Sequence, residues 1–453
     1  MKRSWMMCAL AMASVGTPIF LYACGDDTLY APAADAGPFD AAGLEGGPPP
    51  PPSGDSGGPS TCGDSTGAPP RLLVSLNHAA SSELVAFNLA TKTVDGRFTY
   101  ASKLGTTYSF GTNPFLLEQS SDLVVKLDAK EPWKPLTAAD VSEDKDAGFT
   151  EPLAVAVPSC AKGYVVRGNR NSIAVVDTNA GNLDAASSIV SHIDLATQLQ
   201  SDDHDMHVEP ISAVWVPSKG RIYVLLGNVD FTKIETNGFR ALCANTKPSI
   251  VAIDPTTDQI VSLGGAGPQG ALLLEGYSPV FGTPLFYDAA LDRLVVLEAG
   301  CNLDDGDGGA GAIARRRVEA VSLGAAGGQV TTLLDLNGGD FPNSLLFVDG
   351  SRAVLSVVDQ ITFAPKAYFW NPASTALGAQ LPVGFSFAAY DGKGSAVGPY
   401  TTTIDGGPGF AIASVPFTDA GAVDAASVQV LGENPFTDNA SGFLGGAEVW
   451  PHP

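Results

Sequence analysis

The sequence predicts an all-β chain whose body is a β-propeller of seven blades, set behind an apolar leader and a linker without regular structure. Three observations carry this. Short β-prone runs recur from Leu72 onward, bounded by clusters of Gly, Asp, Asn, Ser and Pro. Long helical periodicity is scarce over the same stretch. One unit also repeats: an apolar strand, a turn, a second strand closing near Asp or Asn, then often a turn bearing Thr or Gly.

The chain opens on Met1-Lys2-Arg3, and no charge follows from Ser4 to Tyr22. A spanning helix needs about 20 apolar residues, and this stretch is interrupted at Pro18. A positive start and a short apolar core read instead as an export signal over residues 1–23. The signal ends Leu21-Tyr22-Ala23-Cys24, which resembles the lipobox of bacterial lipoproteins. The resemblance implies diacylglyceryl transfer to the Cys24 thiol, cleavage after Ala23 and acylation of the new amine. An uncleaved anchor, or an ordinary signal peptide cut nearby, is the alternative. Gly25 stands where the enterobacterial sorting pattern places Asp for inner-membrane retention, so the outer membrane is favoured over the inner.

Residues 24–70 form the tether. The unbroken run Pro48 to Pro52 favours extended polyproline II, and Gly47, Gly54, Gly57 and Gly58 favour flexible chain. Without apolar periodicity the segment cannot bury enough surface to offset the entropy of ordering. Its expected role is to space the body from a bilayer.

The body spans 71–453. Leu72-Leu73-Val74-Ser75 leads to Leu84 through Asn88, and Leu116-Leu117-Glu118 to Leu123 through Asp128. Tyr164-Val165-Val166 leads to Ile173 through Thr178, and Ile222 through Leu225 to Ile250 through Asp254. Leu294 through Leu297 leads to Val318 through Leu323, and Ala353 through Ser356 to Ala367 through Asn371. A last unit runs from Gly409 through Ala413 to Val428 through Leu431. Each unit alone is a small sheet that cannot cover both its faces, so stacking around an axis is the physical solution. Asp or Asn at a strand end suits a tight turn, because its side chain can accept from the backbone two residues on. The pattern of apolar run, Asp and Thr resembles YVTN-type and related bacterial seven-bladed propellers, which implies architecture rather than activity. Phe443 through Trp450 is placed to add a strand to the first blade and close the ring. A pair of β-sandwiches, or a ring of six or eight blades, also fits short strands with regular turns.

Two excursions break the period, Asn228 to Lys247 and Gly300 to Arg317, each between the two strands of one unit. Such insertions project from a rim or face, where binding usually resides. Of six cysteines, Cys8 falls in the signal and Cys24 at the lipid position. Cys62, Cys160, Cys243 and Cys301 remain, an even number in an exported chain, and allow three pairings. Cys243 with Cys301 is favoured because each lies in an insertion of adjacent units, which leaves Cys62 with Cys160. Free buried thiols are the alternative.

Two polar clusters are candidate sites. Asp202-Asp203-His204-Asp205-Met206-His207-Val208-Glu209 holds two of the five histidines. Imidazole and carboxylate together suit a first-row transition metal, with His204, His207 and Asp203 or Glu209 as ligands. The bland reading is a solvated acidic loop. Asn302 through Gly309 offers Asp304, Asp305 and Asp307 as hard oxygen ligands for calcium, but lacks the distal Glu of an EF-hand. A plain Gly-rich loop is the alternative there. Arg315-Arg316-Arg317 is the one basic run of the body, an anion site or a balance for nearby acids. Gly264-Gly265-Ala266-Gly267 follows a strand without the helix that a phosphate cradle needs.

Composition bounds the partners. Hydrophobic residues make up 45% of 453, enough for a core. Acids outnumber Lys plus Arg by 48 to 25, a net charge of −23. Such a surface repels phosphate backbones, so no nucleic acid is expected, and membrane contact is expected through lipid rather than a basic patch. The expected role is a monomeric, lipid-anchored envelope module that binds a protein or small-molecule ligand, or serves as a scaffold. The alternative is a metal-dependent hydrolase or lactonase-like propeller. With no nucleophile–base pair placed by local spacing, the sequence does not argue for catalysis. Labelling cells with a radioactive fatty acid should mark this chain, and the Cys24→Ser variant should lose the label; label that persists in the variant would place the lipid elsewhere.

Overall fold

A computed structural model describes Gly63 and residues 65–451, apart from segments at 79–80, 111–112, 143–149, 179–187, 234–240, 281–284, 304–312, 325–327, 338, 360–363, 405–406, 418–426, 434 and 437–442. Two units divide the chain, Met1–Pro59 and Ser60–Pro453. The first, with Cys24 and the proline run, lies outside the described residues, as does Cys62.

Ser60–Pro453 is a β-propeller of seven blades. Ordered from the centre outward, blade 1 is Phe443–Trp450, Arg71–Asn77, Ser82–Asn88 and Thr93–Tyr100. Blade 2 is Leu104–Phe110, Asn113–Glu118, Leu123–Leu127 and Pro135–Asp140. Blade 3 is Pro152–Ser159, Lys162–Arg167, Ser172–Val176 and Ile189–Asp194. Blade 4 is Pro210–Val216, Arg221–Leu226, Ser249–Asp254 and Gln259–Val261. Blade 5 is Phe286–Asp288, Arg293–Glu298, Arg317–Ser322 and Gln329–Asp335. Blade 6 has Phe341–Asp349, Arg352–Val358 and Pro365–Trp370, with a single bridge from Tyr368 to Gln380 beyond them. Blade 7 is Ala389–Tyr390, Ser395–Ile404, Gly407–Pro416 and Gln429–Glu433. All strand pairings within the blades are antiparallel.

The middle strands read as continuous apolar runs because both of their faces are covered. Leu72, Val74 and Leu76 pack with Val397, Phe410 and Ile412 of blade 7, while Leu73 packs with Leu116 and Val125 of blade 2. Leu294 and Val296 likewise face blade 4, and Val295 and Leu297 face blade 6. Successive side chains on a strand point to opposite faces, so each residue of such a run has its own neighbouring blade. Outer strands alternate instead: Thr93–Tyr100 exposes every second residue up to its buried last position. Turns follow the expected chemistry. Asn88 Oδ1 accepts from the backbone of Ala90 and Thr91, Asp254 Oδ1 from Thr256, and Asn371 Oδ1 from Ala373.

One unit is out of phase with its sequence reading. Gly409 through Ala413 and Val428 through Leu431 lie in the third and fourth strands of blade 7, not the second and third. The second strand, Ser395–Ile404, escapes notice because Gly398, Pro399 and three threonines interrupt its apolar character.

The ring closes as the sequence expects. Phe443–Trp450, at the far end of the chain, pairs along the whole of Arg71–Asn77. Trp450 is buried between blades 1 and 2 and donates from Nε1 to the Ala129 carbonyl at 2.9 Å. Beside it, Arg71 pairs with Asp95 at 2.7 Å and lies over the Trp133 ring.

Blade 5 buries a pair of acids. Glu298 and Glu319 are both fully buried, and a Cβ on Gly276 would fall 1.4 Å from Glu298 Oε2, so only glycine admits that carboxyl. Burial, and then the Glu319 charge, push Glu298 well above its ordinary value of 4.5. Glu319 Oε2 accepts from the backbone of Glu275 and Gly276, and Arg317 lies 3.6 Å from its other oxygen, whereas Glu298 has no such support for a charge.

Two outcomes follow from this packing. Trp450→Ala should lower the unfolding free energy by about 3–5 kcal/mol in denaturant, whereas Thr331→Ala on an exposed outer strand should change it by less than about 0.5 kcal/mol; equal losses would deny the closing strand its role. For Glu298, the proton is held more tightly in the folded chain. Its contribution is therefore complete below 4.5 and is lost as pH rises through the folded value. Glu298→Gln, which is neutral at every pH, should flatten the fall of Tm with rising pH; parallel Tm–pH curves would refute a protonated Glu298.

Candidate functional site

In an antiparallel blade of four strands, the turn between the second and third strands and the connection to the next blade emerge at the same end. One face therefore carries the connection from blade 3 to blade 4, both long insertions, and the connection from blade 4 to blade 5. The insertions form a small core of their own, in which Val229, Ala244, Tyr277 and Cys301 are buried with Phe231 and Ala241 against them.

Cys243 and Cys301 are disulfide-bonded across the two insertions, with Cα atoms 5.0 Å apart. Next to the bond, the Cys243 N–H donates to the Asn302 carbonyl at 2.9 Å and the Asn302 N–H to the Ala241 carbonyl at 3.1 Å. Cys160 is disulfide-bonded as well, to a cysteine outside the described residues.

The basic run is a stitch rather than an anion site. Arg315 donates to the carbonyls of Ala244, Thr246, Glu275 and Gly276 and lies over the Tyr277 ring, 4.8 Å from its centre. Arg316, nearly wholly buried, donates to the carbonyls of Ala299, Gly339 and Asp340. Arg317 approaches Glu319 at 3.6 Å. Guanidinium donors in a fixed fork suit this bridging of backbone acceptors.

The acidic segment 202–209 lies in the connection into blade 4, held by Asn171, whose side chain bonds the Met206 carbonyl and the Val208 N–H. Its two histidines do not meet on one centre. His204 Nδ1 sits 2.9 Å from Asp230 Oδ2, and His207 Nδ1 sits 3.1 Å from Glu209 Oε1. Glu209 Oε2 also accepts from the Val229 N–H at 2.7 Å. Burial pushes Glu209 well above the usual carboxylate range and holds His207 below the usual imidazole value. Asp203 is pushed up to about 7, by burial first and by the neighbouring Asp205 second. Asp230 is held low: its burial alone would raise it, but hydrogen bonds from Thr232 and His204 outweigh that.

Three carboxylates do converge. Asp203, Asp205 and Asp230 bring one oxygen each to within 4.8 Å of one another. Asp205 and Asp230 were not singled out by spacing. Asp205 shares the acidic run with Asp203, but Asp230 comes from the insertion and has no local signal that ties it to the run. Asp304, Asp305 and Asp307 lie outside the described residues. A separate open groove of about 450 Å³ lies at the outer edges of blades 3 and 4, lined by His192, Asp194, Gln198, Asp258 and Gln259, away from this acidic group.

No family model matches the chain, and no curated protein matches it. Solved structures resemble it in fold. A functionally unknown protein from Desulfotomaculum acetoxidans covers 83% of this chain and 98% of its own, at 11% identity and a TM-score of 0.47. The Cps50 (Swd1) β-propeller domain from Myceliophteria thermophila covers 83% and 98%, at 12% identity and a TM-score of 0.48. A candidate 6-phosphogluconolactonase from Bacteroides uniformis covers 83% and 99%, at 10% identity and a TM-score of 0.47. At such identities the likeness speaks to fold alone, and the count of seven blades rests on the strand topology itself.

Proposed function

We propose that the chain is a binding module of the cell envelope, anchored through lipid at Cys24, which recognises a protein ligand on the face that carries the blade 4 and blade 5 insertions. The observation that carries this reading is the cross-linked platform: two insertions from adjacent blades, with their own small core, one disulfide and the Arg315 stitch. A loop ordered before it meets a partner loses less entropy on binding. Two of the large hydrophobic side chains left exposed, Met206 at 62% and Leu303 at 47%, also lie in segments of this face. An exposed apolar side chain beside this cross-linked core suits a protein contact better than a charged small molecule. The ring closes within one chain, which supports a module that acts as a monomer.

A photo-crosslinking residue placed at Met206 or Leu303 of the full lipidated chain, in its own envelope, should yield a discrete protein adduct. The same residue at Val190 or Leu136, exposed on outer strands, should not. Cys243→Ser with Cys301→Ser should reduce the Met206 and Leu303 adducts while the blades stay folded by circular dichroism. Adducts of equal yield from all four positions would sink the proposal. Ester or lactone turnover abolished by His204→Ala would transfer the chain to the hydrolase reading.

A further inference from the structure

The three aspartates that meet beside the first insertion are poorly neutralised for groups so close together. Asp205 Oδ1 accepts from the His207 N–H at 2.9 Å and Oδ2 from the Phe231 N–H at 2.7 Å. Asp230 Oδ1 accepts from the backbone and hydroxyl of Thr232, and Oδ2 faces His204 Nδ1 at 2.9 Å and Lys233 Nζ at 4.0 Å. Both Asp205 oxygens and Asp230 Oδ2 keep a lone pair free, while Asp230 Oδ1 has both in use. Asp203 differs from both. It is 3% exposed, and neither of its carboxylate oxygens has a donor at good hydrogen-bonding geometry, the Asp205 N–H being the one contact that favours its charge. A buried carboxylate so weakly partnered, within 4.8 Å of two others, is a costly arrangement for a chain to keep empty-handed.

We propose that Asp203, Asp205 and Asp230 bind a hard divalent cation, with calcium the preferred ion, and that this ion fastens the connection from blade 3 to blade 4 onto the first insertion. The donor set is all oxygen, which suits calcium, magnesium or manganese and not zinc or copper. The histidines lie outside that set: His204 Nδ1 is bonded to Asp230 Oδ2, itself a member, and His207 Nδ1 faces Glu209. Calcium is favoured over magnesium because the ligands come from two irregular segments, and magnesium demands near-octahedral geometry. Three carboxylates supply fewer oxygens than calcium's six to eight, so water completes the shell. His204 is 61% exposed beside Asp230, which leaves the site open to solvent on that side. The inference does not depend on which ligand the face recognises.

The test uses the whole mature chain, stripped with chelator and titrated with calcium chloride by calorimetry and by thermal melting. One calcium should bind per chain, with a Kd of about 10⁻⁵–10⁻³ M, and should raise Tm. Asp203→Asn should weaken binding by about tenfold or more and cancel the rise in Tm. The same variant should melt higher than the metal-free parent, because it removes one of three repelling charges, and that shows it is folded. Asp202→Asn, at the exposed neighbouring position, should bind calcium as the parent does. No heat and no Tm shift at about 10 mM calcium would overturn the proposal. So would undiminished binding in Asp203→Asn, or a response to zinc alone that His204→Ala abolishes.

Discussion

Burial of the middle strands on both faces is the constraint on which the rest of this structure depends. A strand such as Arg71–Asn77 has no exposed position at all, so every residue needs a partner from one of two flanking blades. That requirement cannot be met by an open row of sheets, because the end sheets would each present a bare apolar face to water. It is met when blade 7 packs on blade 1, which it does through Leu72, Val74, Val397 and Ile412. The remaining contacts run unbroken around the ring, from blades 1 and 2 through blades 6 and 7. Ring closure also explains why the first blade borrows its inner strand from the end of the chain. A ring completed by two adjacent segments of sequence could open at their junction. One locked by Phe443–Trp450 against Arg71–Asn77 must break a long antiparallel ladder to do so.

A closed ring makes a stiff frame, and several of the strained backbone positions among the described residues lie on one stretch of it. The connection into blade 4, both insertions and the connection into blade 5 hold Met206, Glu209, Asn228, Ser278 and Arg315, all non-glycine residues with positive φ. Each such residue is strained by about 1 kcal/mol or more, and it persists where its surroundings over-determine it. Here they do. Glu209 is fixed by Val229 and His207, Asn228 by Lys247 and Ser249, and Arg315 by four carbonyls. The disulfide adds about 2–4 kcal/mol, chiefly by restricting the unfolded chain. Cross-linking and strain at the same place mark a surface whose shape is being maintained.

The architecture was legible in the sequence because the propeller imprints two different periods. Continuous runs such as Leu294 to Leu297 announce strands with two covered faces, and Asp254 or Asn371 announces the turn that ends them. The same reading failed in blade 7 for a physical reason: Gly398 and Pro399 sit opposite Ala413 and Ile412, where backbone pairing and tight packing replace apolar side chains. The pairing of Cys243 with Cys301 was also legible, since topology places insertions of adjacent blades on one face. The acidic site was legible only in part. Asp203 belongs to a conspicuous run, but its partner Asp230 is set by how one insertion folds against the connection before it. His204 and His207, the more eye-catching residues, are each drawn to a separate carboxylate, an outcome that spacing along the chain does not encode.

Charge and position together explain why the acids are arranged so unevenly. A surface this acidic gains nothing from further repulsion, and several carboxylates among the described residues are placed to avoid it. Asp254, Asp349 and Asp391 cap turns, and Asp95, Asp258 and Asp292 face cations. In the dry interior of blade 5, burial favours the neutral form of Glu298, while Arg317 lies 3.6 Å from Glu319. Asp203, Asp205 and Asp230 lie on two segments that also meet through Gln200 with Lys247 and Glu209 with Val229, and exposed His204 beside Asp230 opens this spot to solvent. Protonation would only relieve the repulsion among the three acids, whereas a multivalent cation would also add strong links between their segments. The same physics that rejects an isolated buried charge therefore favours a bridging ion at the edge of the platform, where two loops from different blades must be held in register.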